Sequence, residues 1–145
     1  MSLITALDQI NHQIPLSAAI EMTTRFRAEM DQALKPEFVG KDILPLCETF
    51  NRSAFESILA QPGSVAVRVY LGMDAEQKIR LIFVGVNDNN EDILPSVGDL
   101  ADLSKQTPAF RLDSTSEALG SVGVIMEEGQ RCPPICPTKS PLFQS

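Results

Sequence analysis

Tryptophan is absent from the 145 residues, and tyrosine occurs once. Flat side chains on which nucleic-acid bases stack are therefore scarce. Positive charge is short as well. Twelve Lys and Arg stand against nineteen Asp and Glu, a formal net charge of −7. Nucleic acid and anionic membrane are disfavoured as main partners, because both demand a basic face. The longest apolar runs are strand-sized and are broken by Arg68, Arg80 and Gly85, so no membrane-spanning helix is expected. The stretch from Met1 to Asn11 has neither a basic start nor a long apolar segment. No secretory leader is expected there, and a cytoplasmic location is. Histidine occurs once, as His12. A Ser–His–Asp or Cys–His site would depend on that imidazole, and chain ends rarely hold a base in place. A plain surface histidine is the expectation. Nucleophile elbows, phosphate loops and dinucleotide fingerprints are all missing. No catalytic residue, metal or cofactor is assigned.

What is present describes an ordinary globular chain, 43% hydrophobic and 21% charged. Its length suits one domain that folds without a metal or disulfide staple. Residues 1–131 are expected to form a single α+β domain, and residues 132–145 a proline-rich tail.

Ala19, Met22, Phe26, Met30 and Ala33 recur at steps of three and four. That spacing predicts a helix over 17–34 with one apolar face, capped by Ser17 and stopped by Pro36. Gly40 and Pro45 break the pattern that follows, and a turn leading to a short helix over 46–50 is expected. Ser53 and Glu56 have the spacing of a capping box, which predicts a helix over 54–60 burying Phe55, Ile58 and Leu59. Gln61-Pro62-Gly63 would end it.

Val65, Val67, Val69 and Leu71 alternate with Ala66, Arg68 and Tyr70, the period of a half-exposed strand. After turn residues over 72–77, residues 79–86 are apolar on both faces, as in a central strand. The two make a hairpin whose second strand lies deeper. Residues 87–92 read as a polar loop. A helical turn near 99–103 and a capping-box spacing over 114–117 follow, and Val122, Val124 and Met126 suggest a third strand. The architecture expected is N-terminal helices packed on a small antiparallel sheet built from 64–71, 78–87 and 121–127. The hairpin and helix 17–34 supply its core. Helices first and strands afterwards argue against a parallel βαβ sheet.

Four segments carry a resemblance: residues 22–27 (Met-Thr-Thr-Arg-Phe-Arg), 60–63 (Ala-Gln-Pro-Gly), 83–87 (Phe-Val-Gly-Val-Asn) and 128–137, which contains Cys132-Pro133-Pro134-Ile135-Cys136. Together the chain resembles an uncharacterised group of small bacterial proteins with a Cys-Pro-Pro-x-Cys-type tail. That group has no established activity, so the resemblance transfers no functional residue.

Cys132 and Cys136 suit a disulfide, half of a zinc site or a redox pair. Zinc would need Cys47 and His12 as well, at a spacing unlike zinc fingers. A thioredoxin-type site uses two intervening residues and a helix N-terminus. In a reducing cytoplasm two free thiols and no zinc are expected. Cys47, beside Leu46 and Phe50, reads as a small buried hydrophobe. The tail itself, with four prolines in its fourteen residues, should form no ladder. Deleting 138–145 is expected to leave the unfolding midpoint nearly unchanged. Residues 88–92 offer oxygen ligands, but Ile93 stands where a calcium loop needs glycine.

The candidate ligand-binding residues are Arg68, Tyr70 and Arg80, which the hairpin would place on one sheet face to hold a carboxylate or phosphate. The plainer reading is a sheet face covered by acids of the long helix. The function expected is a non-enzymatic protein-binding module with an acidic surface, in a specialised version an immunity-like inhibitor of a basic partner. The alternative is a small anionic-ligand binder or enzyme using Arg68, Tyr70 and Arg80. A protein partner and homo-oligomerisation both remain open. A bound anion at the arginines would favour the alternative, and a large acidic interface the first reading.

Overall fold

The computed structural model describes residues 7–95 and 123–144. The expectations for 99–103 and 114–117, and for Val122, lie outside them. The fold is α+β, with helices and antiparallel sheets. The chain forms two compact units. Among the described residues, one holds 7–8, 51–70, 82–95 and 123–127, and the other 9–50, 71–81 and 128–144.

A hairpin of β2 (Ala66–Met73) and β3 (Ile79–Val86) supplies strands to both. The second strand does lie deeper. Phe83 to Val86 are buried, whereas Val69 to Leu71 are exposed. Its turn is built by Asp74, whose Oδ1 accepts from the amides of Glu76 and Lys78 at 2.9 Å each.

In the first unit, α2 (Arg52–Leu59) is capped by Asn51, whose side chain accepts from the Ala54 amide at 2.9 Å. The capping-box expectation is thus corrected. Ser53 sits in the first turn and donates its hydroxyl to Asn51 Oδ1. Ile58 is fully buried, Phe55 is half-buried and Leu59 is 52% exposed, against the expectation that all three are covered. The covered stripe runs through Ala54, Ile58 and Gln61, so Leu59 falls beyond its edge. Gly63, at φ +80°, completes the turn into β2. The short strands β4 (Asp92–Ile93) and β5 (Ile125–Met126) pair antiparallel with successive parts of β3. The third strand expected over 121–127 is this two-residue β5. Buried Gln61 ties it down, donating Nε2 to the Ile58 carbonyl and accepting from the Val124 amide at 2.6 Å. A Cβ on Gly123 would lie 2.3 Å from the Leu94 carbonyl carbon, so this approach requires glycine. The core here is Ile58, Phe83, Val84 and Val86, with Phe55 edge-on to Phe83 at 5.2 Å between ring centroids.

In the second unit, α1 (Leu16–Glu29) continues as a 3-10 turn over Met30–Ala33. Pro15, not Ser17, holds the cap position, with no side-chain bond; Ser17 lies inside the helix. The short helix expected over 46–50 is instead β1 (Cys47–Thr49), paired antiparallel with β6 (Gln130–Cys132). Four apolar or β-branched residues in five gave local sequence no means of choosing, and a partner more than eighty residues away decided it. The ladder also corrects the reading of the tail. Cys132 is fully buried in β6, Cys132 and Cys136 form a disulfide with Cα atoms 4.8 Å apart, and Cys47 remains a half-buried free thiol. The expected pair of free thiols is therefore replaced by a bridge, because the chain turns back within four residues. The Cys132–Pro133 and Pro133–Pro134 peptide bonds are cis. Gly129 lies against the Phe50 ring, which a Cβ there would meet at 2.4 Å.

The chain ends in α3 (Pro141–Gln144), which packs against α1. Arg27 Nη1 donates to the Leu142 carbonyl at 2.5 Å, and Phe143 is half-buried. This docking reverses the deletion expectation. Removing 138–145 should cost about 1 kcal/mol, since a half-buried phenylalanine and its backbone contacts are lost. Thermal unfolding of the truncated chain measures it, and an unchanged midpoint would show that the contact adds nothing.

Candidate functional site

The hairpin residues singled out by sequence find their partners inside the chain. In the first unit Arg68 and Tyr70 stand two apart on β2 and so share a face. Both reach Asp92 on β4. Arg68 Nη1 donates to Oδ1 and the Tyr70 hydroxyl to Oδ2. Arg68 Nη2 also donates to Asn90 Oδ1 at 2.5 Å. Interaction with Tyr70 is the largest influence and holds the Arg68 guanidinium above its ordinary range; desolvation, next in size, opposes it, and the charge and bonding of Asp92 add to the rise. The guanidinium therefore stays charged at any working pH. The loop that presents Asp92 is itself fastened. Asn87 Oδ1 accepts from the amides of Asn89 and Glu91, and Asn90 takes a positive φ of 64°.

Arg80 meets Glu48 and Gly129 in the second unit. Its Nε lies 3.4 Å from Glu48 Oε1, and its Nη2 donates to the Gly129 carbonyl at 3.1 Å. The structure thus brings Arg68 and Tyr70 together on one carboxylate and gives Arg80 another. The acids come from β4 and β1; the long helix, from which sequence reasoning drew them, supplies neither.

Glu48 anchors a larger charge cluster. Its side chain is fully buried, Oε2 accepts from the Leu81 amide at 3.1 Å, and Oε1 lies 3.6 Å from Arg131 Nε. Arg131 is buried too, donating to Asp42 Oδ2 at 3.1 Å and to the Ile43 carbonyl at 3.0 Å. Lys78 pairs with the same Asp42 at 3.3 Å. Every charge in the cluster faces an opposite one, the arrangement of a structural network. Sequence reasoning missed Glu48, Asp42 and Arg131. Glu48 carried a local signal, a charge within the largely apolar stretch Leu46 to Phe50, whereas Asp42 beside Lys41 and Arg131 beside Gln130 carried none.

The third feature is a surface. Among the described residues α1 buries nothing. Leu16 is 61% exposed, Met22 60% and Phe26 38%, which overturns the reading of this helix as core. Met22, Phe26, Met30 and Ala33, flanked by Arg25 and Glu29, line a groove of about 380 Å³. The helical period is present, and among the described residues of this unit α1 packs against α3 and against the 3-10 turn that continues it.

His12 is exposed. No group of three or more His, Cys, Asp or Glu among the described residues could hold a metal, and no described helix is long and apolar enough to cross a membrane. Comparison with protein-family models, curated proteins and solved structures finds no match.

Proposed function

We propose that the protein is a non-enzymatic protein-binding module whose docking face is α1. The observation that carries this reading is a fourteen-residue helix with an apolar stripe and, among the described residues, no buried residue. A stripe of this kind is a surface on which water is costly and a partner's apolar side chains are welcome. Arg25 and Glu29 at its rim offer both signs of charge, which favours register with a partner over adhesion to any apolar surface. The net charge of −7 supports a protein partner over nucleic acid.

The double variant Met22→Glu, Phe26→Glu tests the reading. Both positions are exposed, so unfolding should shift by less than about 0.5 kcal/mol. Cross-linking in an extract of the source organism, followed by mass spectrometry, should recover a partner with the wild-type chain and lose it with the variant. Equal recovery from both removes α1 as the docking face.

The reading as an anionic-ligand binder is supported by the convergence of Arg68 and Tyr70 on one carboxylate. That carboxylate belongs to Asp92, so an incoming anion would have to displace a neighbouring strand residue. The α1 reading requires no such displacement.

A further inference from the structure

The chain has three cysteines, and all belong to the second unit. Cys132 is bonded to Cys136. It is also the direct antiparallel partner of Cys47 across the β1–β6 ladder. Directly opposed residues project to the same side of such a pair, with Cα atoms about 4.5–5.5 Å apart. A disulfide spans Cα separations of about 4.4–6.8 Å. Cys132 therefore has two sulfur partners within bridging reach, one four residues along the chain and one across the ladder, and can bond one at a time. The unbonded partner, Cys47, is a thiol.

We propose that Cys47 is the attacking thiol of an internal thiol–disulfide exchange whose substrate is the Cys132–Cys136 bond. Cys47 gives its proton to water, and its thiolate attacks Cys132 Sγ. The Cys47–Cys132 bond forms as the Cys132–Cys136 bond breaks. The electron pair leaves on Cys136 Sγ, which takes up a proton from water. One thiol and one disulfide are present before and after, so no oxidant or reductant is consumed. The exchange carries the free thiol from a strand to Cys136 in the tail, opens the short loop over 133–135 and locks β1 to β6 covalently. Cys132 is fully buried. The attacking group must then come from within the fold, and β1 supplies it.

The test uses the intact chain without added thiol. Protein held at mildly alkaline pH is quenched in acid at intervals, alkylated, digested and mapped by mass spectrometry. The expected result is a second population that grows to a plateau, with Cys136 alkylated and Cys47 linked to Cys132. Its rate should be independent of protein concentration. In Cys47→Ser the label on Cys136 should be lost completely. A wild-type chain that keeps Cys47 free and Cys132–Cys136 intact at every time overturns the proposal. So does a rate that rises with protein concentration, which marks exchange between chains, or labelling of Cys136 in Cys47→Ser.

Discussion

Replacing Glu48 by alanine is expected to destabilise the protein by about 3–5 kcal/mol, the range for removing one partner of a buried charge pair. The carboxylate has no solvent exposure and lies within 3.4 and 3.6 Å of the Nε atoms of Arg80 and Arg131. Without it, two guanidinium groups, 18% and 6% exposed, keep their charge and lose the carboxylate they share, and Arg131 keeps Asp42 at 3.1 Å. The Leu81 amide loses its acceptor in the same step. Glu48→Gln separates these effects. It keeps an oxygen for Leu81 and removes the charge, so its cost should fall below that of alanine while remaining above about 1 kcal/mol. Denaturant unfolding of both variants measures the difference. A loss under about 1 kcal/mol for Glu48→Ala would mean that Asp42 neutralises Arg131 by itself. The same physics bars a converse claim. A buried ion network need not be more stable than an apolar replacement of the same shape, so the prediction concerns breaking it.

Phe83→Ala should cost a similar amount, about 3–5 kcal/mol, for a different reason. Phe83 is 9% exposed in the centre of β3, shares the first unit's core with Ile58, Val84 and Val86, and pairs with Met126 of β5. Truncation loses the transfer energy of the ring and leaves a cavity that a strand hydrogen-bonded on both sides cannot collapse into. The edge-on contact with Phe55 adds a part that can be measured separately. A cycle of Phe55→Ala and Phe83→Ala should show a coupling of about 0.5–1.5 kcal/mol. Additive losses would place the two rings in independent environments. A total loss for Phe83→Ala below about 1 kcal/mol would mean that its face points away from the core.

The parts of the fold legible in sequence are those whose cause is local. The hairpin was readable because alternation in 65–71 and continuous apolarity in 79–86 each mark a strand; the second also reports burial, whereas Val65, Val69 and Leu71 of the alternating apolar set are exposed. The turn at Asp74 and the stop at Pro62-Gly63 were readable because particular residues supply particular backbone geometry. Helix α1 was readable as a helix, yet its environment was not. Periodicity shows that one face is apolar, and an apolar face reads the same whether the chain covers it or leaves it open. Capping was half legible. The motif at Ser53 is genuine in spacing, but the helix starts two residues earlier at Asn51, which caps the Ala54 amide and leaves Ser53 inside the first turn.

At the candidate sites the division is sharper. Arg68 and Tyr70 could be placed on one face from the period of a strand, and nothing local to them identifies Asp92 as their shared acceptor. Arg80 could not be separated from them, because hairpin register says where side chains start and the surrounding elements say what they reach. Glu48, between a cysteine and a threonine, gains its importance from Arg80 and Arg131, residues thirty-two and eighty-three positions later.

Composition and pattern by themselves determined the α+β class, the hairpin, the acidic balance and the absence of a membrane-spanning run, since each depends on residue type and near-neighbour spacing. Tertiary structure alone decided that residues 47–49 are a strand, that Cys132 is bridged to Cys136 and faces Cys47, that Glu48 is buried between two arginines, and that among the described residues α1 has no buried side chain. These depend on which distant segments meet. That is settled by the free energy of the whole chain, in which a strand partner, a counter-charge or an uncovered face has no signature in the residues on either side of it.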